Sequence, residues 1–93
     1  MHTLVIYDIT DDDIRAAIAK ACKEAGLARI QKSAFLGVID SQRRKNLKRK
    51  LERILGNNKG NIQIFLICDT DIRFREIIGD VISGENNEDI LIL

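Results

Sequence analysis

The sequence has no proline and no tryptophan, and it holds just two cysteines, one histidine, three phenylalanines and one tyrosine. Without a Pro-rich or Ser-rich stretch there is no linker, so the 93 residues read as one domain. An aromatic content of 4% makes the expected core aliphatic, and a hydrophobic content of 45% is enough to build one. No apolar run approaches the ~20 residues of a transmembrane helix. The basic-then-apolar order of a signal peptide is missing too, so the expected location is the cytoplasm, with no membrane partner. Cys22 and Cys68 lie far apart and lack a CxxC partner or a nearby histidine. They read as small buried hydrophobes, not as a disulfide or a metal site. His2 reads as a surface residue. A domain this small buries roughly 60–65% of the surface its unfolded chain exposes, so a second subunit would help it considerably.

What is present is unevenly spread. Residues 1–40 carry five Lys/Arg against six Asp/Glu, residues 41–60 eight against one, and residues 61–93 two against seven. A formal net charge of +1 therefore hides a +7 segment followed by a −5 segment. That is a local footprint and not a general polycation.

Leu4-Val5-Ile6 reads as a strand buried on both faces, ending at Tyr7-Asp8. A carboxylate at that position is costly if dehydrated and unpaired, so Asp8 must face solvent, a cation, a partner or a ligand. Thr10 and Asp13 have capping-box spacing. Asp11, Asp12 and Asp13 suit a helix N-terminus better than they suit metal ligation. Ile14, Ile18, Ala21, Cys22 and Ala25 recur at helical spacing up to the stop at Gly26, predicting a helix from about Asp11 to Ala25. From Leu27 to Ile39 the pattern predicts a strand, with Ile30, Ala34, Leu36 and Val38 on one parity and Arg29, Gln31, Ser33 and Phe35 on the other. Phe35 fits either a core or an interface, and Gly37 marks a bulge or a close backbone approach.

Asp40 or Ser41 caps a second helix with an apolar stripe at Leu47, Leu51, Ile54 and Leu55. Its other positions hold Arg43, Arg44, Lys45, Lys48, Arg49, Lys50 and Arg53, with Glu52 the lone acid. A solvated helix gains by mixing signs at i,i+4, so this face reads either as merely soluble or as turned toward a polyanion, the latter favoured by phosphate spacing and counterion release. A turn over 56–61 leads to a strand from Ile62 to Cys68, a short helix from about Asp71 to Arg75, and a further strand over Glu76–Ile82. The chain closes with Ile90-Leu91-Ile92-Leu93, whose apolar character argues for pairing within the subunit or across a dimer.

This order is that of an α+β, ferredoxin-like βαββαβ sandwich with an extra C-terminal strand. One domain over 1–93 is expected, with its core at about 1–83 and a C-terminal strand over 84–93 pairing at a dimer interface. A sheet covered by helices on one side leaves a bare face, so a homodimer with facing sheets is expected, and Asp8 would then meet its symmetry mate, the two sharing one divalent cation.

The chain resembles the family of the small CRISPR-associated adaptation protein two, partner of the CRISPR integrase and often described as an endoribonuclease. The resemblance rests on Tyr7-Asp8-Ile9-Thr10-Asp11-Asp12, on Gly26-Leu27-Ala28-Arg29-Ile30-Gln31-Lys32-Ser33-Ala34-Phe35-Leu36-Gly37 and on the apolar third strand, spanning roughly residues 1–83. It implies that Asp8 ligates Mg²⁺ at a dimer interface, that Tyr7, Arg15, Arg29 and Phe35 serve nuclease activity, and that the C-terminal strand joins the partner's sheet. Ala17, Lys32 and Leu36 depart from the family pattern, at positions where a basic residue, a tyrosine and an acid are frequent. A related ferredoxin-like toxin ribonuclease family shares much of the pattern.

Two functions follow. In one, Asp8 of each subunit holds a hydrated Mg²⁺ that polarises an RNA or DNA phosphodiester and activates water, while Arg15 and Arg29 stabilise phosphate charge and Phe35 stacks or packs. In the other, the dimer is a non-catalytic scaffold that bridges integrase subunits and holds the backbone of duplex DNA through its cations, without sequence readout. A sensor binding a small ligand between subunits is the bland alternative, with no motif to support it.

Overall fold

A computed structural model describes residues 1–82 of the chain. Its elements run β1 (His2–Asp8), α1 (Asp12–Ala25), β2 (Ala28–Gln31), β3 (Ala34–Gly37), α2 (Ser41–Leu55), β4 (Asn61–Ile67) and α3 (Asp69–Arg73). The strands form an antiparallel sheet in the order β2-β3-β1-β4. β1 and β2 both run against β3, so α1 is the crossover of a split βαβ unit. The architecture is the expected ferredoxin-like α+β fold.

Strand alternation divides the side chains between two faces. Val5 lies opposite Phe35 and Ile64, and Tyr7 opposite Ile62. These side chains join Ile18 and Cys22 of α1 and Leu47 and Leu51 of α2 in the main core. Leu4 lies opposite Leu36 and Phe65, Ile6 opposite Ala34 and Gln63, and Asp8 opposite Asn61, all on the other face. There a smaller cluster forms where Ile72 of α3 packs on Leu36, with Leu4, Ala28, Ile30 and Ile67 around it.

The helices follow from caps and stripes. Asp11 caps α1 by accepting from the Ile14 N–H at 2.9 Å, and Gly26 ends it in the left-handed region at φ 104°. The cap is thus Asp11 and not Thr10, because the carboxylate one residue on reaches the free N–H. Asp40 caps α2 by accepting from the Arg43 N–H at 2.7 Å, as expected.

Other expectations need correction. The single strand over Leu27–Ile39 is a hairpin, with Lys32-Ser33 as its two-residue turn. An unbroken run of apolar parity hid the turn. Glu76–Ile82 forms no strand: Gly79 sits at φ 92°, and no ladder partner meets this segment among the described residues. α3 starts two residues earlier than expected. Leu4 and Ile6 are half-buried, not enclosed on both faces. His2 is buried, because its Nδ1 lies 2.8 Å from the Asp69 carboxylate at the start of α3. Cys22 is buried as expected, but Cys68 is exposed just before α3. Phe35 is core, with no exposure at all. Gly37 makes the close approach anticipated for it: a Cβ there would lie 3.2 Å from the Gly26 carbonyl oxygen. The strand expected at 84–93 lies outside the described residues.

Candidate functional site

Tyr7 and Asp8 adjoin in sequence and go to opposite faces of the sheet. Tyr7 turns toward the helices and is 7% exposed. Its phenol donates to the Lys32 carbonyl at 3.4 Å, and its backbone N–H donates to the Ser33 carbonyl at 3.0 Å. The end of β1 therefore fastens the β2–β3 turn twice. The Phe35 ring stacks on Tyr7, with centroids 6.4 Å apart and planes 16° apart. The Arg29 guanidinium lies 5.0 Å from the Phe35 centroid, a cation–π contact that fixes its orientation. Burial pushes the phenol pKa up, and Arg29 beside it pulls the other way. The net rise keeps Tyr7 protonated near neutrality, as a donor and not a general base.

Beside this stack opens a cleft of about 570 Å³, lined by Tyr7, Asp12, Arg15, Ala16, Arg29, Lys32, Ser33 and Ile82. Arg15 reaches it from the first turn of α1, where it forms an ion pair with Asp12 one helical turn back. The lining holds three cations against one carboxylate, and that carboxylate is engaged.

Asp8 does not line this cleft. It is exposed at the end of β1, opposite Asn61 of β4. The loop entering β4 presses on its backbone: a Cβ on Gly60, which sits at φ 117°, would lie 2.5 Å from the Asp8 carbonyl oxygen. Among the described residues no three His, Cys, Asp or Glu side chains gather where they could hold a metal ion. Mg²⁺ takes near-octahedral oxygen coordination. One protomer's Asp8 does not fit that need, and a second Asp8 with several waters would have to complete the set.

α2 presents the third feature. Arg43, Lys45, Lys48, Arg49, Lys50 and Arg53 are exposed and Arg44 is half-buried. Among the described residues Lys50 is the one of these cations in an ion pair, with Glu24 of α1 at 3.2 Å. Arg49 hydrogen-bonds Asn46 at 2.9 Å. On the side facing β4, Arg44, Lys45 and Lys48 rim a groove of about 470 Å³ floored by Leu51, Leu55, Ile62, Ile64 and Leu66. Among the described residues β4 is an edge strand, so there the groove borders a row of backbone groups with no ladder partner.

Of the residues singled out in the sequence, Tyr7, Arg15, Arg29 and Phe35 come together. Asp8 stands apart on the opposite face, and the cations of α2 form a separate surface. Sequence reasoning missed Lys32 and Ser33 as cleft residues. The signal that could have found them is the polar Gln31-Lys32-Ser33 run inside an otherwise β-like stretch, which is turn chemistry.

The family model for CRISPR associated protein Cas2 matches residues 1–74. A relative from Korarchaeum cryptofilum, named CRISPR-associated endoribonuclease Cas2, is 44% identical over 79 residues, covering 85% of each chain. A Thermoproteus tenax protein, named a CRISPR-associated endonuclease Cas1/endonuclease Cas2 fusion, is 38% identical over 77 residues, which cover 78% of this chain and 29% of the fusion. Among solved structures, Streptococcus pyogenes Cas2 superimposes with a TM-score of 0.74 at 25% identity, covering 85% of this chain and 100% of that one.

Proposed function

This chain belongs to the CRISPR-associated Cas2 family, and we propose that it acts in spacer acquisition as a homodimer that holds nucleic acid by its phosphate backbone beside the CRISPR integrase. The observation that carries this reading is α2, where seven cations and one acid share a helix and a single ion pair neutralises any of them among the described residues. Such a surface binds through counterion release and without base contacts, which suits DNA of arbitrary sequence. The fused relative supports the integrase as partner, since there a Cas1 part and a Cas2 part share one chain. The edge that β4 leaves free among the described residues and the apolar groove beside it support self-association. Ile90 to Leu93 of a second copy is the segment we assign to that edge.

A salt titration of duplex-DNA binding tests the reading. Four phosphate contacts lower affinity about 10²-fold between 50 and 200 mM salt. A flat response sinks the reading. Deleting Ile90 to Leu93 is expected to weaken the dimer on size exclusion, and an unaltered dimer would remove that segment from the interface.

The exposed carboxylate at the end of β1 favours a second reading, endonuclease activity on RNA or DNA. Asp8 of the two protomers would hold Mg²⁺, which when bound polarises a phosphoryl oxygen and lowers the pKa of water. On this reading Asp8→Ala abolishes Mg²⁺-dependent cleavage, and cleavage that survives the substitution arises elsewhere.

A further inference from the structure

The cleft beside Tyr7 has a composition that metal chemistry at Asp8 does not use. It lies on the helix-covered side, and Asp8 is absent from its lining. At about 570 Å³ it exceeds the size of a phosphate group, and its charged lining is cationic apart from Asp12, which Arg15 already engages. One of its cations is held in place before any ligand arrives, Arg29 over the Phe35 ring, while the exposed Arg15 pairs with Asp12 one turn back. A group fixed as Arg29 is loses little freedom on binding. Lys32 and Ser33 form the β2–β3 turn, whose carbonyls accept two hydrogen bonds from Tyr7.

We propose that Tyr7 pins the Lys32-Ser33 turn so that Lys32 and Ser33, with Arg15 and Arg29, hold one backbone phosphate on the sheet face turned away from Asp8. Tyr7 is then a positioning residue, and the phosphate in the cleft is a different one from any that meets Asp8 of the same protomer. The ligand class is a phosphodiester, recognised by charge and by hydrogen-bond donors. This inference rests on the reading that the chain binds nucleic acid.

The test is a salt titration of duplex binding by fluorescence anisotropy, with the full chain and four variants. Lys32 and Arg15 are exposed, so Lys32→Ala and Arg15→Gln leave the fold intact. Each is expected to weaken binding roughly 3–10-fold and to lower the salt slope by about one, the signature of a lost phosphate contact. Tyr7→Phe keeps the ring and removes the donor. It is expected to weaken binding with the slope unchanged, because no cation is lost. The fourth variant neutralises Lys45, Lys48 and Arg49 on α2. If it lowers affinity and slope while Lys32→Ala and Arg15→Gln change neither, the cleft is not a phosphate site and the nucleic-acid reading stands. If the unaltered chain binds no duplex at all, the nucleic-acid reading fails, and inorganic phosphate decides the cleft. Shifts of the Lys32 and Ser33 amide resonances that Lys32→Ala abolishes would uphold it, and their absence would overturn it.

Discussion

Val5 and Tyr7 on one face of β1 are 0% and 7% exposed, whereas Leu4 and Ile6 on the other are half-buried and Asp8 is exposed. One residue of sequence separates these pairs, yet α1 and α2 cover the first set and a five-residue helix carrying Ile72 covers part of the second. The covered face spends its polar groups on internal contacts, such as the phenol of Tyr7 on the hairpin turn. Among the described residues the open face leaves the Asp8 carboxylate without such partners and Phe65 41% exposed. Among the described residues, preformed geometry therefore belongs to the cleft and not to the open face.

Substitutions that contrast the faces give the largest effects. Phe35→Ala on the covered face is expected to cost about 3–5 kcal/mol in urea unfolding, through a cavity among core side chains. Phe65→Ala, at a residue 41% exposed, is expected to cost less than about 1 kcal/mol in dilute protein. Should the two costs match, the open face is packed like a core in solution. A cost at Phe65 that grows with protein concentration would instead identify a second copy as the covering layer.

Gly60→Ala comes next. Its positive φ and the Asp8 carbonyl oxygen 2.5 Å from the added Cβ both oppose the change. A loss of about 2 kcal/mol or more is expected by thermal or chemical unfolding, and a neutral result would show that β4 enters the sheet differently at Asp8.

The smallest effect is one of pH. The hydrogen bond from His2 holds the Asp69 carboxyl below its ordinary pKa, so this contact adds stability above the unfolded carboxylate pKa and loses it as pH falls through the depressed folded value. Asp69→Asn is expected to flatten that acid limb slightly. An unchanged acid limb would mean that the contacts of Asp69 with His2 and the Met1 amino group add no stability.

Much of this was legible in the chain itself. Apolar period and caps locate α1 and α2 to within a residue or so, because Ile18 and Cys22, or Leu47 and Leu51, can face one direction only in a helix. The ferredoxin-like class was read correctly, although the succession as read held one strand over Leu27–Ile39 where the fold has two. The hairpin was missed because Ile30, Ala34 and Leu36 keep one parity across the two-residue turn, although the polar Gln31-Lys32-Ser33 run carried its signal. Glu76–Ile82 misled for a related reason: β-type composition describes a surface in search of a ladder, and no ladder partner meets that segment among the described residues. Cys22 shows what burial does to a thiol, pushing it up to about 12, while Cys68 is exposed, a distinction that composition does not contain. The gathering of Tyr7, Arg15, Arg29 and Phe35 was expected from resemblance. Its separation from Asp8 needed only strand alternation, which applies as soon as β1 is known to have helices on one side.

The strand order has a consequence in time. β1 precedes both of its sheet neighbours in the chain and lies inside the sheet, where β3 pairs on one side and β4 on the other, with His2 opposite Ile67. Until β4 leaves the ribosome, one edge of β1 stays open and its apolar run is available to other chains. Contacts between such distant residues also slow folding. Yield should therefore depend on how long the nascent chain waits for β4, and slower translation upstream of Asn61 should lengthen that exposure without altering the finished protein.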